Sequence, residues 1–187
     1  MSLFATPSTR HLVAFAAALF LWASPAASDS AVLDKLYAEL ADPDNQEWRR
    51  TQADIWREWS KSGSPAMDLL LKRGNEAMES GDLAAAIEHF TALTDHAPEF
   101  AEGWNKRATA YYLNGQFGPS VADIRRTLTL NEHHFGALSG FGMILESLGR
   151  DAEALAVYKA ARAIHPHQEN VVLAIERLEQ KTAGIEL

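Results

Sequence analysis

The chain of 187 residues has no cysteine. That excludes disulfide staples, thiolate nucleophiles, iron–sulfur clusters and cysteine-ligated zinc, and leaves packing as the source of stability. Positive charge is also scarce: 17 Lys and Arg stand against 25 Asp and Glu, a formal net charge of −8. An acidic surface is poorly suited to holding a phosphate backbone, so nucleic acid is disfavoured as a partner. Glycine and proline number 11 and 7, and no glycine-rich phosphate-cradling run occurs. Neither a nucleophile motif nor a paired-carboxylate arrangement is present, so no catalytic residue, no metal site and no cofactor are expected. Long apolar runs are limited to Leu12 to Ala23, 12 residues, where about 20 are needed to span a bilayer. Arg10 precedes this run and the small-residue segment SPAASDS follows it. That order is the pattern of a secretory leader, with cleavage expected after Ala26 or Ser28. Export follows, with no membrane insertion once the leader is removed; an uncleaved N-terminal anchor is the alternative.

What is present is a repeat. Displaced by 34 residues, the sequence falls on itself twice without a gap. Gly74, Ala108 and Gly142 align, as do Gly81, Gly115 and Gly149, then Ala86, Ser120 and Ala154. Bulky residues keep the same step: Leu70, Trp104 and Leu138, then Phe90, Ile124 and Tyr158. A fixed period of this length signals stacked supersecondary units rather than a globule around a pocket. In the first unit, MDLLLKRGNEAMES is helix-forming, Gly81 breaks it, Asp82 caps a second helix and Pro98 ends that helix. Each unit is therefore an αα-hairpin. The small residues lie where its helices approach most closely, and the bulky ones fill the space beside them. Pro119 falls in a first helical turn, where proline is tolerated.

This pattern resembles the tetratricopeptide repeat, in units spanning 67–100, 101–134 and 135–168. The resemblance implies an all-α, right-handed superhelical solenoid of αα-hairpins. The expected organisation is a leader over 1–28, a degenerate N-terminal hairpin and linker over 29–65, three repeats over 66–166, and a capping helix and tail over 167–187. Val171, Ile175 and Leu178 supply the cap with one apolar face, as the last unit of a solenoid requires. In the N-terminal segment, Leu33, Leu36, Tyr37 and Leu40 form one stripe, and Trp48, Ile55, Trp56 and Trp59 a second. It is expected either to continue the stack or to pack as a lid.

The resemblance also implies a concave groove lined by first-helix side chains. Matching positions are Lys72, Asn75 and Met78 in unit one, with Asp68, Leu71 and Glu79 beside them. Asn105, Lys106, Thr109 and Tyr112 follow in unit two, with Glu102 and Leu113, and Ser139, Met143 and Glu146 in unit three. Amides and hydroxyls suit a peptide backbone, and Met and Tyr grip apolar side chains. Leu71 and Gly140 occupy positions where chaperone-binding members carry basic residues, so that carboxylate clamp is missing. A structural set is expected in Gly74, Trp104, Arg107, Ala108, Asp123, Gly142 and Tyr158. Arg73 and Arg107 take a position usually apolar; Asp123 faces Arg107, which predicts an ion pair between them, because an unpaired buried charge is very costly. His133, His134, His165 and His167 cluster near repeat junctions without the spacing of a metal site. The expected role is a protein-interaction scaffold in the periplasm that binds a peptide or helix and assists assembly of an envelope complex. The alternatives are a small-ligand or anion site built on Arg107, Lys106 and Tyr112, or self-association through the tryptophan-rich N-terminal helix.

Overall fold

The computed structural model describes residues 25–183, with side chains from 31 to 181. The expected apolar leader at 12–23 and the last residues of the tail lie outside the described residues. Among the described residues every element is helical. α1 (Pro25–Ala41) and α2 (Trp48–Trp59) form the N-terminal hairpin. Three further pairs follow: α3 (Pro65–Glu79) with α4 (Leu83–His96), α5 (Ala101–Leu113) with α6 (Phe117–Leu130), and α7 (Phe135–Ser147) with α8 (Asp151–Ile164). α9 (Glu169–Ala183) is the last described helix, with Val171, Ile175 and Leu178 buried against Tyr158 and Ala161 of α8. No described helix is long and apolar enough to cross a membrane.

The three pairs are built by one recipe. Gly81, Gly115 and Gly149 adopt φ of 79°, 72° and 71°, the left-handed region that glycine enters without a Cβ clash. Each is followed by the same six-residue closure. Asp82 N–H donates to Ala77 O, Gln116 N–H to Tyr111 O and Arg150 N–H to Leu145 O, at 2.9, 2.8 and 2.9 Å. These bonds satisfy carbonyls that the helix end would otherwise leave open. The Asp82 carboxylate accepts from Ala85 N–H at 3.0 Å, capping α4. α4 and α8 end two residues before Pro98 and Pro166.

Within each pair, the width of the small residue matches its bulky neighbour. A Cβ on Gly74 would overlap the Phe90 ring, and one on Gly142 would stand 2.5 Å from the Tyr158 ring. Unit two carries Ala108 against Ile124, both buried in one cluster, so the narrower partner leaves room for a methyl. Ser120, equivalent to Ala86 and Ala154, is fully buried and donates from Oγ to Ala108 O at 2.8 Å.

The N-terminal hairpin lies along the edge formed by the turns between repeats. Its core joins Leu40, Ile55 and Trp59 to Phe135 at the start of α7, with Ile164 of α8 beside them. Trp59 stacks on His134 at 4.1 Å between ring centroids, and Tyr37 on His133 at 4.8 Å. Trp48 lies parallel to His167 at 5.3 Å and edge-on to His165 at 5.5 Å. α2 thus runs from the turn after α8 back to the turn before α7, and Lys61 and Ser62 end beside Ala97 to Phe100. This is a strap across the junctions.

Candidate binding groove

α5 and α7 stand side by side over α6, and the space between them is an open cleft of about 320 Å³. Asn105, Thr109, Tyr112 and Leu113 line it from α5, and Ser139, Met143 and Ile144 from α7; Ser120 and Ile124 are its floor. The α7 wall is unusually low. Gly136 and Gly140 both face it, and a Cβ added at Gly140 would meet nothing within 4 Å. The helix backbone is therefore open to close approach along one turn. Leu113 and Met143 are exposed at 55% and 42%, which puts apolar surface at the cleft mouth. Tyr112 and Met143 also belong to a neighbouring hollow with Glu146, Tyr158, Ala174 and Arg177, so the trough continues from α5 across α7 to α9.

Six of the expected groove residues, Asn105, Thr109, Tyr112, Leu113, Ser139 and Met143, converge on this cleft. Glu146 sits in the adjoining hollow, where its carboxylate accepts from Arg177 at 2.6 Å and Tyr158 Oη at 3.3 Å. Burial, reinforced by this carboxylate, pushes the Tyr158 phenol well above its usual range. Lys72, Asn75 and Met78 lie apart, on α3. Lys72 is 3.6 Å from Glu76, and Met78 packs partly buried on the first-unit core with Leu71 and Phe90. Leu71 itself is 5% exposed and belongs to the core, not to the groove. The half-buried Asn75 keeps an Oδ1 without a hydrogen-bond partner.

Lys106 does not reach into the cleft. It pairs at 3.3 Å with Glu102, a carboxylate 8% exposed that also accepts from Asn105 at 3.1 Å and bonds His134 Nε2 at 3.0 Å. Burial alone would raise the Glu102 pKa, but these partners outweigh it and hold the group below its ordinary value. Because His134 Nδ1 accepts from Ala137 N–H at 3.1 Å, its Nε2 carries the hydrogen and donates to Glu102. One imidazole thereby caps α7 and anchors α5.

Arg107 is tied down completely. Its Nε and one terminal nitrogen donate to the two Asp123 oxygens at 2.7 and 2.9 Å, and the other donates to Thr94 at 2.8 Å and Thr91 at 3.3 Å. The Asp123 bonds raise its pKa further above the ordinary arginine value, despite burial. With every donor nitrogen engaged, Arg107 has no fork left for an anionic ligand. The alternative anion site of Arg107, Lys106 and Tyr112 is not assembled. Trp104, expected as a core filler, is half-buried instead. Its indole N–H donates to Pro98 O at 3.0 Å, and its ring lies 4.8 Å from the Arg107 guanidinium and 6.0 Å from that of Arg126. A polar N–H and two cations on its faces keep this ring at the boundary of the core. Arg73, which shares the repeat position of Arg107, is exposed on α3.

The edge histidines were not legible as structural parts from their spacing. Their signal was the repeat itself: Asn131 and His165 share one position, and His133 and His167 another, both in the junction turns. No group of three or more His, Asp or Glu capable of holding a metal occurs among the described residues.

Comparison with known proteins agrees with this architecture. The tetratricopeptide repeat family profile matches residues 71–118 and 108–169. A TPR repeat-containing protein of Rhizobium etli is 32% identical over 155 residues, covering 81% of this chain and 75% of that one. The chain belongs to the tetratricopeptide repeat family. Among solved structures, the first TPR domain of Spaghetti (RPAP3), bound to an HSP90 peptide, is similar with a TM-score of 0.60 at 23% identity, over 63% of this chain and 93% of that one. The MamA protein is similar over 80% and 82% of the two chains, with a TM-score of 0.59 at 20% identity. At these identities the likeness is one of fold.

Proposed function

We propose that this protein is an interaction scaffold that seats a peptide or helix with apolar side chains in the α5–α7 cleft. The observation that carries this reading is the cleft itself. Bare backbone at Gly136 and Gly140 lies beside Tyr112, Leu113 and Met143, with Asn105, Thr109 and Ser139 placed among them. Asn105 Oδ1 and the exposed Thr109 hydroxyl are placed to bond a partner backbone, whereas the buried Ser139 hydroxyl is spent on Phe135 O and Gln168 Oε1. The apolar side chains supply area, the combination peptide grooves use. The similar Spaghetti domain holds an HSP90 peptide, which supports peptide capture as a use of the fold. A chaperone's acidic tail is not the expected guest here, because Leu71 is buried and Gly140 offers no charge.

The leader-like segment at 10–28 supports action in the periplasm, where the proposed role is that of an adaptor in assembly of an envelope complex. N-terminal sequencing of protein from a periplasmic fraction is expected to begin at Ala27 or Asp29; a start at Met1 would leave the anchored alternative in place. Binding is tested by capture with Gly140→Leu, which fills the cleft, and Tyr112→Ala, which strips its wall. Both are expected to lose the partner while retaining helical content. Capture undiminished in both variants would place the partner elsewhere.

A further inference from the structure

We propose that the α1–α2 hairpin is an acid-released strap, latched to the repeat array by His165. His165 ends α8 and is 1% exposed. Its Nε2 bonds Gln52 Oε1 of α2 at 3.1 Å, and its Nδ1 has no hydrogen-bond partner. The ring lies edge-on to Trp48 at 5.5 Å and to Phe135 at 5.0 Å. A neutral imidazole fits this seat; a second N–H would be a buried cation with no acceptor. The charged groups on surrounding elements do not relieve it. Arg49 on α2 lies 4.3 Å from the Trp48 ring, adding positive charge. His167, on the same turn, stacks on that ring and bonds Asp42 O at 3.1 Å. The Asp42 carboxylate accepts from Asp44 N–H. Glu39 on α1, Arg162 on α8 and Glu169 on α9 are all exposed, and none bonds a His165 nitrogen.

Burial, and then the neighbouring His167, pull the His165 pKa down from 6.5 to about 4. In the open state the imidazole is hydrated and titrates near its ordinary value. The closed state is therefore fully favoured above pH 6.5 and loses ground as pH falls through the window down to about 4. Across that window the closed-to-open ratio drops by up to about 300-fold. Release uncovers Phe135 and Ile164. It also frees the first turn of α7, where Gly136 and Ala137 wall the cleft.

The absence of cysteine makes the test direct. Spin labels on Asp44→Cys and Glu169→Cys, both exposed and adjacent to the Asp42–His167 contact, report the strap distance in the full protein. At pH 7.5 a single short distance is expected. Between pH 6.5 and 4 a long-distance population should grow while circular dichroism of the array stays constant. His165→Asn should remain closed throughout, since Asn131 fills the same position one repeat earlier. Trp48→Ala, which removes the ring under both imidazoles, should be open already at pH 7.5. The proposal is overturned by a short distance persisting at pH 4, by His165→Asn opening with the wild-type midpoint, by strap and array melting in one transition, or by a closed Trp48→Ala strap.

Discussion

Each repeat closes around a small–large pair of its own: Gly74 on Phe90, Ala108 on Ile124, Gly142 on Tyr158. The N-terminal hairpin closes around residues it does not own. Leu40, Ile55 and Trp59 need Phe135, and Tyr37, Trp48 and Trp59 rest on imidazoles from the junction turns. The array's contacts are short in sequence and periodic; the strap's reach about 75 to 125 residues along the chain. The array should therefore keep its structure when the strap is damaged, whereas the strap should have little structure without the array.

The ion pair that joins α5 to α6 inside unit two should matter most. Asp123→Ala leaves the Arg107 guanidinium partly buried and unmatched, with only Thr91 and Thr94 as acceptors. A loss of about 3–5 kcal/mol is expected on chemical denaturation; an unchanged midpoint would remove the pair from the account. Trp59→Ala should cost about the same by truncation of a buried aromatic, but in a different place. Hydrogen exchange is expected to speed up in α1, α2 and the first turn of α7, which Trp59 covers, and stay unchanged in α3 to α6. Equal loss in both regions would erase the distinction between strap and array.

A smaller effect sharpens the recipe inside the array. Gly74→Ala drives a Cβ into the Phe90 ring and should cost about 1–3 kcal/mol by overpacking. Adding Phe90→Ile recreates the pair found in unit two, so the double variant should recover part of that loss, read from a double-mutant cycle. Strict additivity would mean the two positions are not matched by size. The smallest effect is Trp104→Ala. Half-buried and bonded at its N–H, this ring should contribute about 1–2 kcal/mol, below the ~3–5 expected of a fully buried one; thermal melts distinguish the two.

The fold of the array was legible because its determinants are local and repeated. A 34-residue step placed Gly81, Gly115 and Gly149 at left-handed turns, and spacing alone placed the cap at Val171, Ile175 and Leu178. The cleft was legible in part. Asn105, Thr109, Tyr112, Ser139 and Met143 followed from matching repeat positions. Leu71, Glu102 and Lys106 did not, because which way a side chain turns is set by neighbours on other helices: Phe90 draws Leu71 inward, and His134 holds Glu102. The path of the strap was hidden for the same reason. Nothing local in Trp48 or Trp59 says that their partners lie about 75 to 120 residues away in turns that happen to carry histidine.

Whether a partner sits in the trough between α5 and α7 can be read directly in cells. A photo-crosslinking amino acid in place of Thr109, which lines the cleft, is compared in intact cells with one in place of Ala122, exposed on α6. A discrete protein adduct is expected from position 109, disappearing with Tyr112→Ala, and none from position 122. An adduct from position 122 alone, or from both positions equally and indifferent to Tyr112→Ala, would contradict binding in the trough.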